Sequence, residues 1–166
     1  MTLYADVFRA LEAANVRYVI VGGVAVVLSG HVRATVDLDV VIDLEPEPAL
    51  LAMEALLALG LEPRVPVDAR DLAVPGIRAE WIQTKNMQVF SLYDPERVAR
   101  EVDVFVAYPV EFEALYADAV RMDVDGVVVR VASRAHLVAM KRAAGRPQDL
   151  ADVQALEELR ERDADG

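Results

Sequence analysis

Two glycines and two aspartates constrain this chain more than any other feature. Gly22-Gly23 ends the apolar run Tyr18 to Val21, and a second apolar run, Val36 to Ile42, carries Asp37 and Asp39. A β-branched run broken by two glycines reads as a strand entering a tight turn. Carboxylates inside a Val/Leu/Ile strand are costly unless something compensates them. A divalent cation is the compensation that the pattern favours.

With 166 residues the chain fits one domain, large enough to bury a core without staples. No cysteine is present, which removes disulfides, thiolate metal sites and cysteine nucleophiles. His31 and His136 are the two imidazoles, too few for a zinc site of three or four N/S ligands. The first residues, Met1 to Asp6, lack a basic and then apolar leader, and no apolar run reaches the ~20 residues that span a bilayer. A cytoplasmic protein is the expectation. The net charge of −11 opposes non-specific binding to nucleic acid or anionic lipid.

Apolar residues at helical spacing predict a helix over Thr2–Ala14, then a strand over Arg17–Val21 and a short helix over Val24–Ser29. A strand follows from Thr35 or Val36 to Asp43, then a helix over Ala49–Leu59 stopped by Gly60. Strands are expected at Leu61–Val65, Arg78–Ile82, Asn86–Tyr93 and Val102–Val106, with Val67–Leu72 a turn or short helix. Val110–Ala119 reads as helix. Asp125-Gly126 between Arg121–Val124 and Val127–Val131 is a hairpin signal. Ser133 caps a helix ending at Gly145, and Pro147 opens a last helix, Gln148 to about Arg162. The fold class is α/β (α+β): a mixed sheet flanked by helices. One domain spans 1–166, with a core over about 1–131 and a C-terminal helical segment, 132–162.

Side chains alternate along a strand, so Val36, Leu38, Val40 and Ile42 face the core and Asp37 and Asp39 share the other face, roughly 7 Å apart. That spacing suits one or two Mg²⁺ ions, with Mn²⁺ the alternative. The plain alternative is an ordinary alternating strand with a wet polar face. Asp103 shifts the balance, because it lies in a second apolar strand and completes a three-carboxylate metal site if the two strands are neighbours. Gly22 and Gly23, placed before a short helix, let backbone N–H groups approach a phosphate.

Together these residues resemble the nucleotidyltransferase superfamily of the DNA polymerase β type. The match comprises Gly22, Gly23, Asp37, Asp39 and Asp103. Gly30, Arg33 and Thr35, read with the two aspartates as Gly-x-x-Arg-x-Thr-x-Asp-x-Asp, are similar to a small bacterial branch that includes abortive-infection toxin nucleotidyltransferases of toxin–antitoxin systems. The segment Lys141 … Arg146-Pro147-Gln148-Asp149-Leu150-Ala151-Asp152 fits that branch too, whereas Pro63 to Tyr93 carries no motif of it.

The resemblance implies Mg²⁺-dependent transfer of a nucleoside monophosphate from an NTP to an acceptor, with Asp37, Asp39 and Asp103 as catalytic metal ligands. It implies that Lys141 reaches the triphosphate or the acidic cluster. By spacing alone, Lys141 is a lysine at the edge of a core face. Gly22, Gly23, Arg33, Thr35, Lys141 and Asp149 are the nucleotide-binding candidates. Arg33 either positions a phosphate or pairs with a nearby acid, and Asp149 and Asp152 also suit the first turn of a helix on electrostatic grounds. Expected partners are an NTP, an acceptor that is RNA, protein or small molecule, and an antitoxin or other protein, with no membrane. A nucleotide-binding regulatory module without turnover, working with a partner protein, is the alternative.

Overall fold

The computed structural model describes residues 2–166. A 3-10 turn leads into α1 (Ala5–Ala13), which lays Val7, Phe8 and Leu11 on the core. β1 (Tyr18–Val21) is buried throughout and passes directly into α2 (Gly22–Leu28). β2 (Leu38–Ile42), α3 (Pro46–Ala58) and the two-residue β3 (Glu62–Pro63) follow. After a 3-10 segment at Ala69–Ala73 come α4 (Pro75–Lys85), β4 (Val89–Tyr93), β5 (Glu101–Phe105) and α5 (Phe112–Asp118). The hairpin β6 (Val120–Val124) and β7 (Val127–Val131) leads to α6 (Arg134–Ala144) and α7 (Pro147–Asp165).

The seven strands form one mixed sheet in the order β3-β4-β5-β2-β1-β7-β6. β1 pairs with β2 antiparallel, setting Val21 opposite Asp39, and β2 pairs with β5 in parallel, setting Asp39 opposite Asp103. β4 then places Ser91 opposite Asp103 and Val89 opposite Phe105. The carboxylate-bearing strands are therefore neighbours, inside a sheet whose Leu38, Val40, Val102 and Val104 are fully buried.

Three local expectations fail, each for a physical reason. Residues 78–82 are helix, not strand. Pro75 at the first helical position starts α4, left-handed Asn86 (φ 49°) ends it, and Trp81 turns inward to stack on Phe90 at 5.3 Å. Val36 is not a core residue but 48% exposed, because β2 begins at Leu38 and strand alternation does not extend back to it. The Tyr4 hydroxyl donates to the Val36 carbonyl oxygen instead, tying this irregular segment to the start of α1. The expected strand at 61–65 shrinks to Glu62–Pro63.

The C-terminal capping signals translate directly. The Ser133 hydroxyl accepts from the His136 N–H at 3.2 Å, Gly145 closes α6 with φ 66°, and Pro147 stands in the first turn of α7.

Candidate active site

One cleft of about 720 Å³ is lined by Gly22, Gly23, Arg33, Thr35, Asp37, Asp39, Asp103, Lys141 and Asp149. Residues scattered over 128 positions of sequence thus share one wall-to-wall space. β1 and α2 bring the glycines, β2 and β5 the acids, and α6 with α7 the opposite wall.

The glycines are required by their neighbours. Gly22 has φ +65°, and a Cβ there would lie 2.1 Å from Asp39 Oδ2. At Gly23 a Cβ would lie 2.4 Å from Thr35 Oγ1 and 2.9 Å from Arg33 Nη2. The missing side chains are therefore what allow Asp39, Thr35 and Arg33 to pack against the turn. This ties the Gly-Gly pair to the Arg-x-Thr-x-Asp-x-Asp run in space.

Among the described residues the Asp39 carboxylate has no hydrogen-bond or ion-pair partner. Burial first, then the charges of Asp103 and Asp37, push its carboxyl up to about 7, against a weaker pull from Lys141 and Arg146. Burial also raises Asp103, partly offset by the Ser91 hydroxyl that donates to its Oδ1 at 2.5 Å. Asp37 is raised by burial and by Glu101. No group of three His, Cys, Asp or Glu side chains among the described residues is arranged as it stands to hold a metal ion. The donor set nevertheless fits one: it is all oxygen, it suits a hard cation, and the Asp39 carboxylate has no cation in contact.

The opposite wall is built the other way. Lys141, 7% exposed, stands 2.7 Å from Asp152 Oδ2 and 3.2 Å from Asp149 Oδ1. Arg33 approaches Asp152 side-on: Nη2 donates to Oδ2 at 2.9 Å, and Nε stands 2.8 Å from Oδ1 without hydrogen-bond alignment. Arg146 donates to Asp149 at 2.7 Å, and its own backbone N–H is received by the same carboxylate. Burial works to raise Asp149, but the hydrogen bonds from Arg146 and Lys141 outweigh it and hold the carboxyl below its ordinary value.

Lys141 is thus a buried, doubly paired cation and not a snorkelling one. Of the two readings of Arg33, pairing with an acid is the contact present. Asp152 and Arg146 join the site beyond the candidates drawn from sequence. Asp152 had a legible signal, its i+3 spacing from Asp149 on one helix face. Ser91 had none, since its partner is set by strand register alone.

A mixed sheet with a glycine turn facing paired strand carboxylates is the arrangement that the resemblance to nucleotidyltransferases implies. The chain belongs to the family described as "Nucleotidyltransferase of unknown function (DUF6036)", which matches residues 5–165. Among solved structures it is similar to an antigenic nucleotidyltransferase-like protein from Paracoccidioides brasiliensis, at 19% identity over 95% of this chain and 75% of that one, TM-score 0.57. It is also similar to the antibiotic-resistance factor ANT(2'')-Ia, at 16% identity over 98% of this chain and 92% of that one, TM-score 0.57. No curated protein matches it. The fold is that of nucleotidyltransferases, and no helix among the described residues is long and apolar enough to cross a membrane.

Proposed function

We infer that the chain is a metal-dependent enzyme that moves a nucleoside monophosphate from an NTP to an acceptor hydroxyl and releases pyrophosphate. The observation that carries this reading is the carboxylate of Asp39, half-buried and packed against Gly22, opposite Asp103 and without a cation in contact. A divalent cation, Mg²⁺ or Mn²⁺, held by Asp37, Asp39 and Asp103 would neutralise the charge that gathers on the phosphates.

The chain's own residues then have distinct roles. Backbone N–H groups at the Gly22-Gly23 turn donate to the β- and γ-phosphates, and Thr35 and Arg33 border them. Lys141, aimed by Asp149 and Asp152, stabilises charge on the departing pyrophosphate. The acceptor oxygen bonds to the α-phosphorus as the bond from that phosphorus to the β-bridging oxygen breaks. Pyrophosphate leaves with the electron pair, and the acceptor proton passes to Asp103.

Calorimetric titration of Mg²⁺ and NTP tests the site: Asp37→Asn and Asp39→Asn should abolish metal-dependent binding with the fold intact. Unchanged binding in both variants would overturn the assignment. The proposed cellular role is the toxin of a toxin–antitoxin pair, so growth arrest on expression should vanish in Asp39→Asn.

One observation favours a second reading, an NTP-sensing module that works with a partner protein and does not turn over. Both Arg33 and Lys141 are already paired with Asp152. Incubation with α-labelled NTPs and a lysate separates the two, since only the enzyme transfers label.

A further inference from the structure

The reacting carboxylates have a second side. Asp39 and Asp103 border the glycine-lined cleft and also an adjoining cleft of about 540 Å³, which shares Arg146 with it as well. Strand alternation determines its chemistry. Phe105 lies two residues beyond Asp103 on the same face of β5, and Val89 stands opposite Phe105 on β4. α6 supplies Met140 and Ala143, and Pro109 completes the apolar part of the lining. An adjoining groove of about 320 Å³ continues past Phe105 and Pro109 to Met87 and Ile82.

We propose that this second cleft is the acceptor subsite, and that its occupant is a neutral small molecule carrying its hydroxyl on an apolar or aromatic frame. The proposal rests on the nucleotidyltransferase reading above and adds the acceptor class. Charge decides between acceptors. A polycation needs carboxylates along the subsite, yet its acids are Asp39 and Asp103, the same pair assigned to the metal. A nucleic acid needs several cations, yet its one cation is Arg146, which already donates to Asp149. Val89, Phe105, Pro109, Met140 and Ala143 give an apolar surface beside Asp39, Asp103, Gln88 and Arg146, and such a mixed lining in a volume of several hundred Å³ matches a small-molecule site. The net charge of −11 would by itself favour a cationic acceptor, but net charge acts on encounter, and the lining of the subsite acts on the bound state.

The test is amide NMR titration of the full chain, with and without Mg²⁺, using four probes: 2-phenylethanol, spermidine, a short oligoribonucleotide and a serine-containing peptide. The expected result is that 2-phenylethanol shifts Gln88, Phe105 and Ala143 at millimolar concentration and the other three do not. Ala143→Glu, on an exposed position of α6, should weaken that binding at least tenfold while Mg²⁺·NTP affinity is retained. Shifts at these residues from spermidine, the oligonucleotide or the peptide in place of the alcohol would overturn the proposal. So would an alcohol affinity unchanged by Ala143→Glu. Failure of the underlying reading would register separately, as absent Mg²⁺·NTP affinity in the unaltered chain.

Discussion

The two walls of the candidate cleft use the same residue type to opposite ends. On the sheet side, Asp39 is half-buried opposite Asp103 with no cation in contact, and its carboxyl is pushed up to about 7. On the helical side, Asp149 is 3% exposed and Asp152 1%, yet both are ion-paired, and Asp149 is held below its ordinary value. Half-burial has brought Asp39 no partner, whereas Asp149 and Asp152, buried more deeply, have two each. The partner decides. On the proposed reading, the half-buried carboxylate without a cation in contact awaits one, while a buried carboxylate with two of them braces those cations.

The largest expected effect breaks the sheet side. Asp39→Asn should lower NTP turnover by about 10²–10³-fold, the scale of losing a charge-stabilising group, while leaving thermal stability unchanged or raised. Pyrophosphate release and a melt on the same sample check both halves. Next is the helical side, where the balance reverses: Lys141→Met strips a partner from two buried carboxylates and should cost about 3 kcal/mol of stability in urea unfolding. If Lys141→Met proved neutral and Asp39→Asn destabilising, the contrast between the walls would be wrong.

Gly22→Ala tests the boundary between them. A left-handed residue gains about 1–2 kcal/mol of strain on acquiring a Cβ, and here that Cβ also collides with Asp39. Metal affinity measured by titration should fall with stability, not independently of it.

pH dependence distinguishes the walls by sign. Between about pH 4, the ordinary carboxylate value, and about 7, folded Asp39 keeps a proton that the unfolded chain has lost. Stability of the metal-free protein should therefore fall as pH rises through that window and level off above it. Asp39→Asn should flatten the slope. Asp149 runs the other way: its contribution is present above the ordinary carboxylate value and is lost as pH falls through its lower folded value. Melts from pH 3 to 8 with Asp149→Asn as control read both. The smallest effect is Ser91→Ala, which removes the hydrogen bond to Asp103 and should cost about 1 kcal/mol.

Much of this was legible before any coordinates. The hairpin at Asp125-Gly126, the Ser133 cap, the Gly145 stop and the Pro147 start are local signals, and the chain obeys them. Residues 78–82 misled because their apolar members fit either period, and Pro75 and Asn86, the punctuation that decides for helix, lie outside the segment. The boundary of β2 misled for a similar reason. Apolar alternation continues back to Val36, but pairing with β1 ends at Asp39 opposite Val21.

Local pattern suffices for the inventory: a glycine turn, an Asp-x-Asp run, a third strand aspartate, and a lysine followed by two helix-face acids. Each follows from short-range geometry, where neighbours along the chain are neighbours in space. Only the tertiary structure decided that Asp39 stands opposite Asp103, that its carboxylate occupies the space a side chain at Gly22 would need, and that Lys141 and Arg33 meet on Asp152. Those are contacts between distant parts of the chain. They depend on strand order and register, which side-chain alternation restricts but does not choose.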